Sequence, residues 1–397
     1  MAADVLERPA TAAAGKTSRG IIGQIFRDHG PKYLALYGER LPPQHAKALG
    51  DIAHCRTEAL GGHVEQCSAC GYERYSYHSC GNSSCPACSG ERRAEWAESR
   101  IDELLPVTYF HVVFTLPEEL RGLARANQKA VYNALLRSGA AALQKLCRDP
   151  KFIGGDIGAM GVLHTWTQTL DYHPHAHFVV PGGGLERGGG CWLPSRNTFL
   201  VPLKPLALLF RGIFKSQLRR AGLLNQTDPA VWSMDWVVYS KPSVSCPDNV
   251  IKYLAAYVFR AGISENRIAS YTGTAVTFHY TDRKTGKRLK MTLPVLEFIR
   301  RFLQHTLPFK FVKVRYFGIW STCRRHDLLL ARHHILQQHP ELDPELNGAL
   351  APELANAPAP ALTSGFVPID RKICPACKHG RMTVLHEIPR MKRRPFW

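Results

Sequence analysis

The spacing of apolar and polar positions divides the chain into a helical start, a cysteine-dense block, a strand-rich centre and a Pro/Ala-rich stretch near the end. Between Gly20 and Gly50 the segments IIGQIF, KYLALYG and HAKAL place their apolar residues at helical intervals. The cysteine block runs into ERRAEWAESRIDELLP, whose pattern suits an exposed helix stopped by Pro106. From Thr108 the period changes. YFHVVFTL is β-branched and aromatic, GVLHTWTQTL alternates, and HFVVPGGG runs out into glycines, so all three predict strands. RANQKAVYNALLRSGAAALQKL, lying among them, predicts an amphipathic helix. Beyond the glycine-rich loop from Gly182 to Gly190, WLP and TFLVP predict short strands and LALLFRGIFKSQLRR a basic helix. WSMDWVVYSKP then predicts a strand, NVIKYLAAYVFR a helix, and TAVTFHYTD with RLKMTL a hairpin turning at Gly286. No regular βαβ rhythm connects these elements, so the expected fold class is α+β on an antiparallel sheet.

Composition sharpens this picture in two respects. Lys and Arg number 51 against 32 Asp and Glu, a formal charge of +19, which predicts a polyanionic partner. No apolar run approaches the roughly 20 residues of a membrane span, and the first fifteen residues carry Asp and Glu without an apolar core, so a soluble cytoplasmic protein with no membrane partner is expected. Twelve cysteines in that compartment point to metal rather than to disulfides.

Six of those cysteines fall within 34 residues. Cys67-x2-Cys70 and Cys85-x2-Cys88 are two knuckles 14 residues apart, the spacing of a four-cysteine zinc ribbon, in which each CxxC turns two thiolates onto one corner of a tetrahedron. Cys55, His63, His78 and Cys80 are candidates for a second, cross-braced zinc, although both histidines also suit exposed loop positions. A module this small has little core, so bound metal would supply its folding free energy. Near the other end, Cys374-x2-Cys377 is half a site, completed by His379 and His386, by Cys323, or by nothing.

In DYHPHAHFVV, His175 and His177 stand two apart on a strand and project from one face. A tight hairpin at Asp171–Pro174 would set Gln168 opposite His177, making Gln168 the third ligand by parity, with His164 further along the same face and His111 reachable from a neighbouring strand. Tyr253 and Tyr257 are four apart on a predicted helix and share a face. Tyrosines so spaced commonly pack in a core, but Lys241, Arg260 and Arg267 lie close in sequence and suit phosphate contacts. A divalent ion on the imidazoles and a phenol nucleophile together fit phosphodiester transfer.

These segments resemble the HUH-type tyrosine transposases of rolling-circle insertion sequences, specifically the insertion-sequence ninety-one family with its N-terminal zinc-binding domain. The segments that carry the resemblance occur in the family's order: CRTEALGGHVEQCSACG, YHSCGNSSCPAC, LLPVTYFHVVFTLPEEL, VLHTWTQTLDYHPHAHFVVPGGG, YLAAYVFRAGIS and RRFLQHTLP. The resemblance covers about Cys55 to Trp320. It implies an antiparallel-sheet HUH nuclease core holding Mg²⁺ or Mn²⁺ on His175 and His177, with Tyr253 and Tyr257 as nucleophiles, and Zn²⁺ in the N-terminal module. It further implies a single-stranded DNA substrate that is nicked and rejoined through a 5′-phosphotyrosine, with nucleoid association while the enzyme acts. Two segments depart from the family. Ala256 and Phe259 stand where relatives often carry His and Arg, and Gly81, Ser83 and Ser84 replace basic residues of the cysteine loop. The expected organisation is a helical segment over 1–50, a zinc-binding domain over 51–105, a catalytic core over 106–335, a linker over 336–370 and a CxxC knuckle with a flexible basic tail over 371–397. The competing reading is a zinc-containing DNA-binding regulator that does not cut.

Overall fold

The computed structural model describes residues 20–88, 100, 103–196, 198–242, 261–282, 285–342 and 372–391. The chain opens with helices α1 (Ile21–Tyr37) and α2 (Pro43–Ala53), followed by the hairpin strands β1 (Gly62–Cys67) and β2 (Glu73–Tyr77). Strand β3 (Tyr109–Thr115), helices α3 (Arg121–Ala126) and α4 (Gln128–Cys147), and strands β4 (Gly158–Trp166) and β5 (Tyr172–Pro181) come next. Short strands β6 (Gly183–Leu185) and β7 (Trp192–Pro194) precede α5 (Leu203–Arg220) and β8 (Val238–Pro242). The remaining elements are β9 (Ile268–Tyr271), β10 (Ala275–Thr281), β11 (Arg288–Pro294), α6 (Val295–Leu303), β12 (Val314–Gly318), α7 (Arg325–Gln338) and β13 (Met382–Ile388). TFLVP, expected as a strand, forms only an isolated bridge between Arg196 and Phe199. The expected helices at ERRAEWAES and NVIKYLAAYVFR lie outside the described residues.

Five strands form the central sheet in the order β12-β4-β5-β3-β8, with every neighbouring pair antiparallel. Alternation along each strand then separates two faces. One face carries Phe110, Val112, Phe114, Leu163, Ala176, Phe178 and Val180, all buried beneath α4 and α5. Glycine at position 139 lets α4 lie this close. A Cβ there would sit 2.7 Å from the Phe178 ring and 3.0 Å from that of Phe114. Gly139→Ala is therefore expected to cost about 1–3 kcal/mol through overpacking, seen as a lower midpoint in urea denaturation, despite alanine's better helix propensity.

The opposite face is apolar at one end, where Tyr109, Met160, Val162 and Val179 pack with Val314, Tyr316 and Trp320, and histidine-rich at the other. A second core joins α1, α2, α6 and β10 through Ile25, Phe26, Leu49, Ile52, Phe278, Phe298 and Phe302, and it includes Cys85 and Cys88. The N-terminal helices and the cysteine block thus fold around one apolar centre with α6.

Part of the expected C-terminal tail, residues 372–391, is built into the fold. Helix α7 and a 3₁₀ turn (Pro340–Leu342) occupy the start of the expected linker, and residues 343–371 lie outside the described set. Strand β13 then pairs antiparallel with β1, from Cys67 opposite Met382 to Gly62 opposite Ile388, completing a three-stranded sheet in the order β13-β1-β2. No helix among the described residues is long and apolar enough to cross a membrane.

Candidate metal centres

The two knuckles expected to share one ion are held apart. Cys67 ends β1 and Cys70 lies in the turn, whereas Cys80, Cys85 and Cys88 follow β2 after it has run back along β1. Five residues of extended chain span about 17 Å, so a hairpin sends the knuckles to opposite ends. The structure instead gathers Cys55, Cys80, Cys85 and Cys88 at one end and Cys67, Cys70, Cys374 and Cys377 at the other. Neither His63 nor His78 joins a group. Their rings lie 6.0 Å apart, and His63 faces Glu65 at 3.8 Å. His379 and His386, considered as partners of the last knuckle, and Cys323 are likewise outside both groups.

Both groups have the dimensions of tetrahedral thiolate sites. Sulfur–sulfur separations are 3.5 Å (Cys55–Cys88) and 3.6 Å (Cys80–Cys88) in the first group, and 3.7 Å (Cys67–Cys377, Cys70–Cys374) in the second. A zinc ion at 2.3 Å from each sulfur requires about 3.8 Å between them, and a disulfide about 2 Å. Backbone amides two or three residues on point back at the sulfurs, from Ala69 to Cys67, Asn82 to Cys80, Ala376 to Cys374 and Gly380 to Cys377. Such bonds favour thiolate over thiol. At Cys377, backbone hydrogen bonds from His379 and Gly380 hold the group down to about 6.

On the sheet, the third partner of His175 and His177 is His164. The three imidazoles offer ligand atoms all within 4.8 Å of one another. His164 pairs directly with His175, and Val162 with His177. Gln168 lies elsewhere: its Oε1 accepts a 2.7 Å bond from the Thr281 amide. The connection is a five-residue loop, Thr167–Asp171, rather than a tight turn, so the partner of His177 moves from position 168 to 162. Six is an even step, and His164 therefore stays on the ligand face. Leu170, with φ +62°, sits at the bend with its side chain buried. The loop is held from α6 and the residues after it: Arg301 donates to the Thr169 carbonyl (3.2 Å) and Asp171 (2.9 Å), and Gln304 donates to the Leu170 carbonyl (2.8 Å). His305 Nε2 donates to that same carbonyl at 3.2 Å, leaving its Nδ1 to accept from Thr165, and burial pushes this imidazole down to about 3, so it is neutral.

The ligand rings are also oriented by their neighbours. His175 Nδ1 donates to the His173 carbonyl at 2.7 Å, which makes Nε2 the unprotonated nitrogen. His177 Nδ1 lies 2.8 Å from His111 Nε2, with the two rings parallel at 5.0 Å, so His111 fixes the second ligand as an outer partner rather than joining the group. Burial first, then the charge of Lys241, push His111 down to about 4. Trp166 stacks on His164 at 4.6 Å.

Of the three cations proposed for phosphate, Lys241 is exposed on β8 directly opposite His111, on the histidine face. Arg267 is engaged internally: it donates to the carbonyls of Gln168 and of His279, the latter at 2.8 Å, and lies over the Phe278 ring. Arg260 falls outside the described residues, as do Tyr253 and Tyr257.

Comparison with known proteins places this geometry in a family. A family model described as "Putative transposase" matches residues 158–327, and one described as a transposase zinc-binding domain, of the IS91 type, matches 25–116. The chain is 36% identical over 383 residues to "Putative transposase y4qJ" of Sinorhizobium fredii, covering 92% of this chain and 94% of that one. The chain belongs to the IS91-family transposases. A second relative is the "Transposase for insertion sequence element IS801" of Pseudomonas savastanoi pv. phaseolicola, 28% identical over 66% of this chain and 67% of its own length. No solved structure matches. In this transposase the zinc-binding match contains six of the eight clustered thiols and stops far short of Cys374 and Cys377, while the other match contains all three sheet histidines.

Sequence reasoning left the last knuckle as half a site because its partners lie about 300 positions away. The count of thiols held the available signal: three CxxC pairs plus Cys55 and Cys80 make eight, two complete tetrahedra.

Proposed function

We propose that this transposase nicks and rejoins single-stranded DNA through a 5′-phosphotyrosine, mobilising its insertion sequence by a rolling-circle mechanism. The observation that carries the reading is the convergence of His164, His175 and His177 on one face of an antiparallel sheet, with His164 and His175 buried and His177 half-buried. The donor set fits a divalent ion, and family resemblance makes it Mg²⁺ or Mn²⁺. Three imidazoles favour Mn²⁺ over the harder Mg²⁺. Bound there, the ion would polarise the scissile phosphate and offset charge developing on it.

The chain's own groups supply the rest. The hydroxyl of Tyr253 or Tyr257 attacks phosphorus, the bond from phosphorus to the 3′ oxygen breaks, and that oxygen leaves as a 3′-hydroxyl after taking a proton. The 5′ end stays esterified to the phenol. Because one phosphodiester is exchanged for another, a 3′-hydroxyl can reverse the step and seal a strand. Two tyrosines permit a second transfer before the first end is released. Lys241, exposed on the histidine face, suits a phosphate of the bound strand.

The test is incubation with single-stranded oligonucleotides carrying the element's ends, with Mn²⁺ or with EDTA, followed by denaturing gels. A protein–DNA adduct is expected with Mn²⁺ only, absent from the Tyr253→Phe/Tyr257→Phe double variant. Cleaved products without any adduct would mean that water, not a phenol, attacks.

A further inference from the structure

Away from the sheet histidines, a cavity of about 950 Å³ opens where α1 and α2 meet the α3–α4 junction and α6. Its wall is cationic. Arg40, Arg125 and Lys129 are exposed around it, while Arg300 is paired with Glu297 at 2.6 Å. Its floor is aromatic and amide-bearing: the rings of Tyr33 and Tyr37 lie 5.0 Å apart, Tyr37 is half exposed, and Gln44 and Gln128 line the space. His45 adds a buried Nε2 without a hydrogen-bond partner among the described residues, and burial followed by the charge of Arg125 pushes this ring down to about 4, so it is a neutral donor or acceptor.

The position matters as much as the chemistry. Arg125 lies over the ring of Tyr172, the first residue of β5, and Arg121 donates to His173 Nδ1 at 2.9 Å. From Tyr172 to the ligand His175 is three residues of strand, about 10 Å. Gln304, which lines the cavity, is also the residue whose amide holds the Leu170 carbonyl of the loop between the ligand strands.

We propose that this cavity is a subsite for an unpaired nucleotide of the DNA strand, held a short distance from the phosphate that is cut. The strand's phosphate pairs with Arg40, Arg125 and Lys129, its base lies against Tyr37, and the amides of Gln44 and Gln128 meet the base edge. Cations beside an aromatic face and edge-reading amides are what unpaired nucleic acid recognition requires, whereas a duplex would not present a base to a concave pocket. Holding one nucleotide here fixes which phosphate reaches the histidines, so the site sets the register of the nick. The proposal rests on the single-strand reading above.

The experiment measures fluorescence anisotropy of full-length, zinc-loaded protein on single-stranded end oligonucleotides across a salt series, scanning one abasic position at a time. Arg40→Gln/Arg125→Gln/Lys129→Gln should bind more weakly and lower the salt slope by about 0.7, the value for one single-strand phosphate left without its cations. Tyr37→Leu should weaken binding by roughly 5- to 100-fold, and one abasic position should weaken the wild type similarly yet add little in that variant. Unchanged zinc content and melting temperature show that the variants are folded. Wild-type affinity and slope in both variants, with a flat abasic scan and normal nicking, would overturn the subsite while leaving the cleavage reading intact. Failure of the wild type to bind single strands at all would overturn both.

Discussion

Replacing His175 with alanine is expected to reduce adduct formation by at least about 10³-fold while leaving DNA affinity nearly unchanged. His175 is one of three imidazoles whose ligand atoms lie within 4.8 Å of one another, and its Nδ1 is already committed to the His173 carbonyl. Two remaining donors would hold a divalent ion poorly, and the ion's stabilisation of charge on phosphorus is worth several kcal/mol, each 1.36 kcal/mol being about tenfold in rate. His111→Ala should behave differently. Its ring touches His177 at 2.8 Å from outside the group, so its loss should weaken metal affinity by about 10–100-fold and be overcome by raising Mn²⁺. Time courses on denaturing gels across a Mn²⁺ titration separate the two. A His175→Ala protein that forms adduct at the wild-type rate would remove the sheet histidines from the chemistry.

The second large effect concerns the thiols. Cys374→Ser/Cys377→Ser is expected to lower bound zinc from two ions per chain to one, and to free residues 372–391 for proteolysis. The β13 pairing and the shared tetrahedron hold that segment to β1, and a structural zinc site contributes about 10–16 kcal/mol in binding. Cys80→Ser/Cys85→Ser should instead collapse the domain, because Cys85 and Cys88 are part of the apolar centre formed with α1, α2 and α6. Metal analysis, limited proteolysis and thermal melts distinguish these outcomes. Two zinc ions persisting in the C-terminal double variant would refute the shared site.

The contrast between the zinc groups also indicates how the transposase is assembled. The first group is closed within 34 residues and is built into a core that includes α6, an element directly preceding the residues that clamp the loop between the ligand strands. The second group ties the turn between β1 and β2 to the C-terminal segment. Zinc bound at the first group would therefore be expected to support the sheet site through α6, and zinc bound at the second to hold the C-terminal strand.

What the sequence determined by itself was whatever short-range pattern controls. Alternation placed β4, β-branched and aromatic composition placed β3, the run into glycines placed β5, helical spacing placed α4 and α5, and the H-x-H spacing put His175 and His177 on one face, because side-chain direction along a strand depends on the strand alone. Parity kept His164 on that face even though the expected turn was wrong. Tertiary structure decided everything that depends on how far apart elements finish. The loop held at Leu170 by Gln304 and His305 set the register that excluded Gln168, the length of the β1–β2 hairpin separated Cys67 and Cys70 from Cys85 and Cys88, and the pairing of β13 with β1 delivered Cys374 and Cys377. A CxxC motif specifies two corners of a tetrahedron but carries no information about which other pair will meet it, since that is fixed by chain closure over hundreds of residues rather than by local geometry.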